Sequence, residues 1–491
     1  MKPVAAIIVC DHNPPDHYLL KELDAHPLIE KIIAIQTGPA QVDSKKYINV
    51  TTSFPRGGEV LGEGVRLAQP CPFLLLIPCC QGVSLAGHGL EEFLTRAQQS
   101  EAGLYYADFY EEHEHGIRIR EVLDYQPGSI RDDFVFGPLL FYRSTQVMNA
   151  FNQYGPFSKT NWGGPYELRL RVSRIAAVQR IPEPLSRVTG NYFQACVQEH
   201  FGYVDPSRIN YQREMEDIAT EHLKCLGAYL KPGGKLVAHD TAPYPVEASI
   251  IIPVRNREHT ISDALASALS QKTSFSFNVI VVENHSTDRT RERIAALMDS
   301  DTRVVMLIPN RHDQGIGGCW NEAIFSPQCG RYVCQLDSDD LYADPHTLSA
   351  MVEMLRSRRY GMVVGSYRVV DFALQDIPPG VVAHREWTDE NGHNNLLRVH
   401  GIGAPRAFPT SLLRRQPFPN VSYGEDYAVA LRISREYRVG RIFDPIYLCR
   451  RWGGNSDAAL THEQENRYAA FKDSLRTREI QERIKMNTRS A

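Results

Sequence analysis

The sequence predicts an α/β protein that contains two copies of one domain, each built on a mostly parallel central sheet. Strand-like runs of β-branched residues alternate with helical segments, and a long segment of the first half recurs in the second half. Alternating strands and helices are typical of parallel sheets that are covered on both faces. A length of 491 residues is sufficient for two such domains and a connecting segment.

The composition excludes several functional classes. Lys and Arg number 54 and Asp and Glu number 58, so the formal net charge is −4 and we expect no nucleic-acid partner. The longest apolar runs, such as Phe73–Ile77, are far shorter than the roughly 20 residues of a membrane-spanning helix. We therefore expect a cytoplasmic protein. Peripheral contact with the inner face of the membrane and assembly into a homo-oligomer stay open.

Strand signals in the second half end next to acidic residues. The pattern predicts strands at Ala248–Val254, Asn278–Val282, Arg331–Leu336 and Tyr360–Gly365. Glu283 follows the second of these strands, and Asp337, Asp339 and Asp340 follow the third. Because ligands of such sheets bind at the carboxyl ends of the strands, this edge is the predicted site.

The internal repeat is clearest between residues 162–185 and 423–446. These segments align without gaps and share ten residues in 24 positions. Earlier segments also match, among them Ala5–Asn13 with Ala248–Asn256 and Phe73–Gln81 with Tyr332–Asp340. We interpret the pattern as a duplication of one large domain. The predicted boundaries are a first copy at 1–195, a helical linker at 196–244, a second copy at 245–456 and a helical tail at 457–491.

The carboxylates of the second copy suggest metal and acid–base chemistry. Asp337 and Asp339 point the same way along an extended segment and suit a hard cation, Mg²⁺ or Mn²⁺. Such an ion can bind diphosphate oxygens. Glu283 could accept hydrogen bonds from a base or a ribose. Glu425 and Asp426 open a predicted helix, where they either cap the helix or take a proton from an acceptor hydroxyl.

Residues 246 to about 455 resemble the inverting glycosyltransferases of family two, which have the GT-A fold, a Rossmann-like nucleotide-diphospho-sugar transferase fold. The resemblance lies in IIIPVRN, VVENHSTD, Trp320-Asn321, QLDSDD and GEDYAVALRIS, with RWGGNS at 451–456 as a closing loop. Many relatives have a histidine in this loop, where the present chain has Trp452 and Gly453.

The resemblance implies a role for each matching residue. Glu283 holds the nucleoside, Asp337 and Asp339 bind the metal and the diphosphate, and Asp426 is the base with Glu425 beside it. The implied donor-binding residues are Pro253, Asn256, Glu283, Asn321, Asp337, Asp339 and Asp340. The implied partners are a nucleotide-sugar donor and a glycan, lipid-linked or small-molecule acceptor.

The first copy lacks these acids. Gln36 aligns with Glu283, Gly164 and Pro165 align with Glu425 and Asp426, and the aspartates of the DxD segment align with Pro78, Cys80 and Gln81. We expect a degenerate, non-catalytic copy. Two alternatives to a glycosyltransferase stay open: a nucleotidyltransferase, which would need a Gly-rich phosphate loop, and a non-catalytic glycan-binding protein.

Overall fold

The computed structural model describes residues 2–11, 16–39, 42–114, 116–190, 192, 206–455, 458 and 460–490. This part of the chain forms two compact units, one of which ends at Tyr229 while the other spans Leu230–Arg489. The start of the predicted linker, 196–205, and Ser456 of the predicted closing loop lie outside the described residues. Within the described ranges, we find no helix whose length and hydropathy would let it cross a membrane.

The first unit alternates strands and helices. Its strands are β1 (Val4–Cys10), β2 (Ile29–Gln36), β3 (Tyr47–Thr51), β4 (Phe73–Ile77), β5 (Val83–Leu85), β6 (Leu104–His113), β7 (Gly116–Arg120), β8 (Leu140–Arg143) and β9 (Val178–Thr189). Its helices are His17–Ala25, Gly58–Ala68, Gly89–Gln99, Ser144–Tyr154, Gly164–Ser173 and Ile209–Cys225.

The second unit follows the same pattern. Its strands are β10 (Ala248–Val254), β11 (Phe277–Glu283), β12 (Val304–Leu307), β13 (Tyr332–Gln335), β14 (Leu341–Tyr342), β15 (Met362–Val370), β16 (Asp376–Val382), β17 (Arg406–Pro409) and β18 (Val439–Arg450). Its helices are Ile261–Leu269, Thr290–Ser300, Ile316–Phe325, Thr347–Arg358, Gly392–Asn395, Thr410–Arg415, Glu425–Glu436 and His462–Ser490.

The two sheets have the same strand order. The first runs β3-β2-β1-β4-β8-β6-β9-β5 with β7 beside β6, and the second runs β12-β11-β10-β13-β17-β15-β18-β14 with β16 beside β15. In the second sheet β12, β11, β10 and β13 are parallel neighbours, as are β15 and β18, whereas β17, β14 and β16 pair antiparallel. The predicted α/β class with tandem sheets is confirmed, and the sheets are mixed.

The correspondence between the two sheets extends to a local irregularity. The register between β6 and β9 shifts where Asp108 faces Pro184, and that between β15 and β18 shifts where Ser366 faces Pro445. The two prolines occupy the same position of the sequence repeat. Proline has no N–H to donate to a ladder, so the strand bulges there. The sequence repeat is therefore also a structural repeat.

The apolar runs form strands that are buried on both faces. Ile250, Ile251 and Ile252 are all fully buried in β10, although side chains alternate between the faces of a strand. This continuous burial explains why these strands read as unbroken β-branched runs instead of alternating patterns. The polar residues that follow the strands are thereby the first to reach the edge of the sheet.

The C-terminal helix packs through paired charges. Arg476 and Arg483 are fully buried and form ion pairs of 2.7 Å with Asp473 and 2.8 Å with Glu479. The sequence shows no strong apolar stripe in this tail, so it predicts either a packed helix or a solvent-exposed one. The tail packs because each buried guanidinium has a carboxylate partner on its own helix.

Candidate active site

The predicted site residues of the second unit converge at one edge of its sheet. Val254 at the end of β10 pairs with Glu283 at the end of β11, and Ile251 pairs with Gln335 at the end of β13. Asp337 follows two residues beyond β13. Because these three strands are parallel neighbours, their carboxyl ends bring the polar residues together, as the sequence predicts.

The loops after β10 and β11 are fastened to each other by Asn256. This residue has a φ of 53°, and its Oδ1 accepts the N–H of Thr287 at 2.8 Å. Its own N–H donates to Ser286 Oγ at 3.0 Å, while the buried Glu283 carboxylate accepts the Ser286 N–H at 2.5 Å. Pro253 is partly buried in the strand just before. Hydrogen bonds thus connect the two loops that carry the predicted nucleoside-binding residues Asn256 and Glu283.

Asn321 fixes the segment that leads to the acidic pair Glu425-Asp426. Its amide nitrogen donates to the Phe418 carbonyl at 2.9 Å and its amide oxygen accepts the Phe418 N–H at 3.0 Å. The same helix approaches Glu425 very closely, since a Cβ on Gly317 would lie 3.0 Å from Glu425 Cβ. This close approach is what buries the Glu425 side chain.

A chain of hydrogen bonds joins Asp337 to Asp426. Gln335 Nε2 lies 3.0 Å from both carboxylate oxygens of Asp337, and Gln335 Oε1 accepts from Arg406 Nε at 3.0 Å. Arg406 Nη1 in turn donates to Asp426 Oδ2 at 2.5 Å. The predicted metal ligand and the predicted base therefore belong to one polar network that crosses β13 and β17.

The pKa values of the two acids in the Glu425-Asp426 pair are shifted in opposite directions. Burial, and then the charge of Asp426, raise the pKa of Glu425 to about 8, so Glu425 is mostly protonated at neutral pH. Burial acts in the same direction on Asp426, but the Arg406 guanidinium and the Lys472 ammonium hold the pKa of Asp426 below its ordinary value. The pair therefore offers one carboxylic acid and one carboxylate.

Asp339 lies against the closing loop. Its Oδ2 accepts from Trp452 Nε1 at 3.2 Å and from Asn455 Nδ2 at 3.3 Å, and Arg257 Nε lies 3.5 Å away. Arg257 also donates to the Gly454 carbonyl at 2.9 Å. Trp452 thus places an N–H donor on the Asp339 carboxylate.

Asp340 belongs to the turn at residues 337–340, here called the acidic turn, and connects it to the end of β18. It is buried, which raises its pKa, and its Oδ1 accepts the backbone N–H of Arg450 at 2.8 Å. The Arg450 side chain donates to the Asp339 carbonyl and, at 2.9 Å, to Asp263. These contacts position the backbone of the acidic turn.

Several residues of this network escaped the sequence analysis. Gln335 had a visible signal, because it is a polar residue inside an apolar strand and lies on the same side as Asp337, two positions on. Arg406, Arg257 and Lys472 gave no such signal, since they come from distant segments and only the fold brings them to the acids.

The equivalent edge of the first unit carries different chemistry. Cys10 at the end of β1 pairs with Gln36 at the end of β2, just as Val254 pairs with Glu283. A Cβ on Gly164 would lie 2.8 Å from the carbonyl oxygens of Arg56 and Gly57. The backbone around Gly164 therefore leaves no room for a side chain such as that of Glu425.

Comparisons with known proteins identify the family. The model of the family described as "Glycosyl transferase family 2" matches residues 249–419. The UDP-Glc:alpha-D-GlcNAc-diphosphoundecaprenol beta-1,3-glucosyltransferase WfgD of Escherichia coli is 30% identical over 195 residues, which cover 40% of this chain and 72% of WfgD. The chain belongs to glycosyltransferase family 2. As the sequence predicts, it is a glycosyltransferase of the hexosyltransferase class.

Other similar proteins are more distant from this family-2 transferase. The poly(ribitol-phosphate) beta-glucosyltransferase of Bacillus spizizenii is 25% identical over 240 residues, 47% of this chain and 36% of its own length. Among solved structures, S. aureus TarS 1-349 in complex with UDP-GlcNAc has a TM-score of 0.38 at 20% identity and covers 47% of this chain and 66% of TarS 1-349. The mannosyltransferase PcManGT from Pyrobaculum calidifontis, in complex with GDP-Man and Mn²⁺, has a TM-score of 0.34 at 18% identity, covering 57% of this chain and 84% of PcManGT.

Glu425 makes a testable contribution to stability. Its pKa lies at about 8 in the folded chain against an ordinary value of 4.5, so the folded state retains a proton that the unfolded state has lost between these values. The stability that this proton confers is complete below about pH 4.5 and is lost as the pH rises through about 8.

The Glu425→Gln variant mimics the protonated side chain and lacks this dependence. In thermal melts, the midpoint of the native chain should fall relative to that of the variant as the pH rises from 5 to 9. A difference between the two midpoints that stays constant over this range would contradict the raised pKa.

Proposed function

We propose that the second unit transfers a hexose from a UDP-sugar to an acceptor hydroxyl with inversion at the anomeric carbon, assisted by Mg²⁺ or Mn²⁺. The observation that carries this proposal is the hydrogen-bonded chain from Asp337 to Asp426. It connects a carboxylate suited to a diphosphate-bound cation with a carboxylate that stays ionised next to a neutral acid.

The donor is proposed to bind along the ends of β10, β11 and β13. Glu283 and Asn256 hold the loops where a base and a ribose would lie, and the acidic turn at Asp337 and Asp339 is the place for the diphosphate. The relative WfgD is named for UDP-Glc, which supports a UDP-hexose as donor.

The residues at the acidic turn fit a divalent cation. No group of three or more His, Cys, Asp or Glu side chains arranged to hold a metal occurs in the described ranges. Mg²⁺ is commonly held by one or two carboxylates together with substrate phosphates and water, so Asp337 and Asp339 provide a sufficient protein share. A bound cation would neutralise charge on the departing nucleoside diphosphate.

The chemical step needs a single ionised carboxylate. Asp426 accepts the proton of the acceptor hydroxyl, and the oxygen attacks the anomeric carbon as the bond to the diphosphate breaks. Arg406 orients Asp426 through the 2.5 Å hydrogen bond and keeps it ionised. Glu425 stays neutral, so no second carboxylate competes for the proton. One displacement with one base gives inversion.

The acceptor is proposed to be a glycan or a lipid-linked saccharide. The name of WfgD specifies a saccharide on diphosphoundecaprenol, which is a lipid-linked acceptor. An acceptor of this kind lies at a membrane surface. The proposal therefore includes a cytoplasmic protein that contacts the inner membrane face peripherally.

The first unit is proposed to be a degenerate copy that does not bind the donor. Gln36 replaces the buried Glu283, and Gly164 leaves no room for a carboxylate at the position of Glu425. The strand order, the register and the bulge at the aligned proline are nevertheless retained. The fold of this copy is kept while its acids are gone.

Asp426 is tested against its neighbour. The Asp426→Asn variant should retain donor affinity and lose turnover by roughly 10²- to 10⁴-fold, because the amide cannot accept the acceptor proton. Glu425→Gln is the matched control, and its loss should be much smaller near neutral pH because Gln resembles the protonated acid. Steady-state kinetics, with donor binding measured separately, compares the two variants. The reverse ranking would assign the base to Glu425.

Asp339 is tested by calorimetry with Mn²⁺ and UDP. Asp339→Ala should remove the metal-dependent part of UDP binding, because it removes one of the two carboxylates at the acidic turn. Asp376→Ala is a control on an exposed carboxylate that pairs with Arg368 at 2.9 Å. Unchanged Mn²⁺-dependent affinity in Asp339→Ala would refute the proposed metal site.

A further inference from the structure

Lys472 lies on the C-terminal helix, outside the residues that match the family model. Its ammonium is largely buried and donates to the His400 carbonyl at 2.9 Å, with the Tyr423 hydroxyl 3.5 Å away. It also lies 4.5 Å from the ring centre of Tyr423 and 5.7 Å from that of Tyr427. A buried lysine held by a carbonyl and two aromatic faces has a fixed position.

The residues that contact Lys472 flank the acidic pair in the sequence. Tyr423 and Tyr427 stand on either side of Glu425 and Asp426 in the sequence, and Gly424 precedes the pair with a φ of 79°. A Cβ on Gly424 would lie 3.4 Å from the Phe471 ring and 3.6 Å from Lys472 Cγ. The C-terminal helix therefore packs directly on the first turn of the helix that carries the pair.

Neighbouring residues keep the C-terminal helix in place at this point. Tyr468 stacks on Tyr423 at 4.2 Å, one turn before Lys472. Arg476, one turn after it, donates to the Tyr427 hydroxyl at 2.9 Å and to the Val399 carbonyl at 3.0 Å. Lys472 is thus held from both sides along its own helix.

The charged groups that face Asp426 come from four segments. Arg406 on β17 and Lys472 on the C-terminal helix are cationic, while Glu425, which precedes Asp426 on the helix Glu425–Glu436, and Asp337 beyond β13 carry carboxyl groups. Arg406 is shared, since it also bonds to Gln335. Lys472, which packs on the turn that leads into the pair, supplies the second positive charge that lowers the pKa of Asp426.

We propose that Lys472 is a positioning residue of the active site, whose ammonium works with Arg406 to keep Asp426 in the carboxylate form that accepts a proton. This inference rests on the proposed role of Asp426 as the base. The C-terminal helix is then part of the catalytic apparatus, although it lies outside the matched family region.

The test separates the charge of Lys472 from its packing. Lys472→Gln removes the charge and keeps an N–H donor for the His400 carbonyl, whereas Lys472→Arg keeps the charge. Lys485→Met is the matched control, because Lys485 is an exposed residue of the same helix that pairs with Glu482 at 2.8 Å. The full chain is assayed for UDP-glucose hydrolysis with Mn²⁺ as a function of pH, alongside thermal melts.

Loss of the charge should raise the pKa of the base. In Lys472→Gln, the acid limb of the profile of kcat/KM against pH should move upward by about one pH unit, with activity recovered at higher pH. At pH values below the midpoint, kcat/KM of Lys472→Gln should therefore be roughly tenfold lower than that of the native chain. Lys472→Arg should restore the native midpoint, and Lys485→Met should match the native profile.

Other outcomes overturn the inference. A uniform loss at every pH with an unmoved midpoint would mean that Lys472 only packs the helix. If neither Lys472→Gln nor Lys472→Arg gives a folded chain, the residue is structural and the proposal fails. If the native chain is active and Lys472→Gln has the same pH profile, the proposed role of Lys472 is refuted. The proposed function of the chain is not affected by this result. A native chain that turns over no nucleotide sugar refutes the proposed function and this inference together.

Discussion

Arg406 donates one hydrogen bond to Asp426 and another to Gln335, which in turn holds Asp337. Without this guanidinium, Lys472 alone would compensate the carboxyl groups at this edge of the sheet, and uncompensated carboxylates carry a free-energy cost that proteins avoid by protonation. With it, one member of the Glu425-Asp426 pair ionises and the other stays neutral. The proposed division of labour between the base and the diphosphate site relies on this residue, together with Lys472.

The two sheets share one scaffold and differ in the side chains at the carboxyl ends of their strands. Both units keep the same strand order and the same bulge at an aligned proline, features that depend on apolar burial and backbone pairing. The acids at the carboxyl ends depend on neither. At the aligned positions the first unit has Gln36, at the end of β2, and Gly164, at the start of a helix, and its sheet has the same strand order.

Much of the fold and part of the site could be predicted from the sequence. Asp337 and Asp339 were found because they follow an apolar strand, and parallel strands share one ligand edge. Arg406 and Lys472 could not be found in this way. They lie far from the acidic residues in the sequence, and no sequence pattern indicates that the fold brings them close to Asp426. The C-terminal helix looked polar because its burial is achieved with ion pairs, such as that of Arg476 with Asp473, which leave no hydrophobic pattern.

In the proposed mechanism one ionised carboxylate, Asp426, accepts the proton of the attacking hydroxyl, and the sugar is transferred in a single displacement. The most direct measurement follows UDP-glucose hydrolysis by the full chain in an NMR tube and records the anomeric form of the glucose that is released first, before mutarotation. Water then takes the place of the acceptor hydroxyl, so no acceptor needs to be known. A single displacement inverts the anomeric carbon, so we expect β-glucose to be released first from the α-linked donor. Release of α-glucose as the first product would contradict a single displacement and, with it, the role assigned to Asp426.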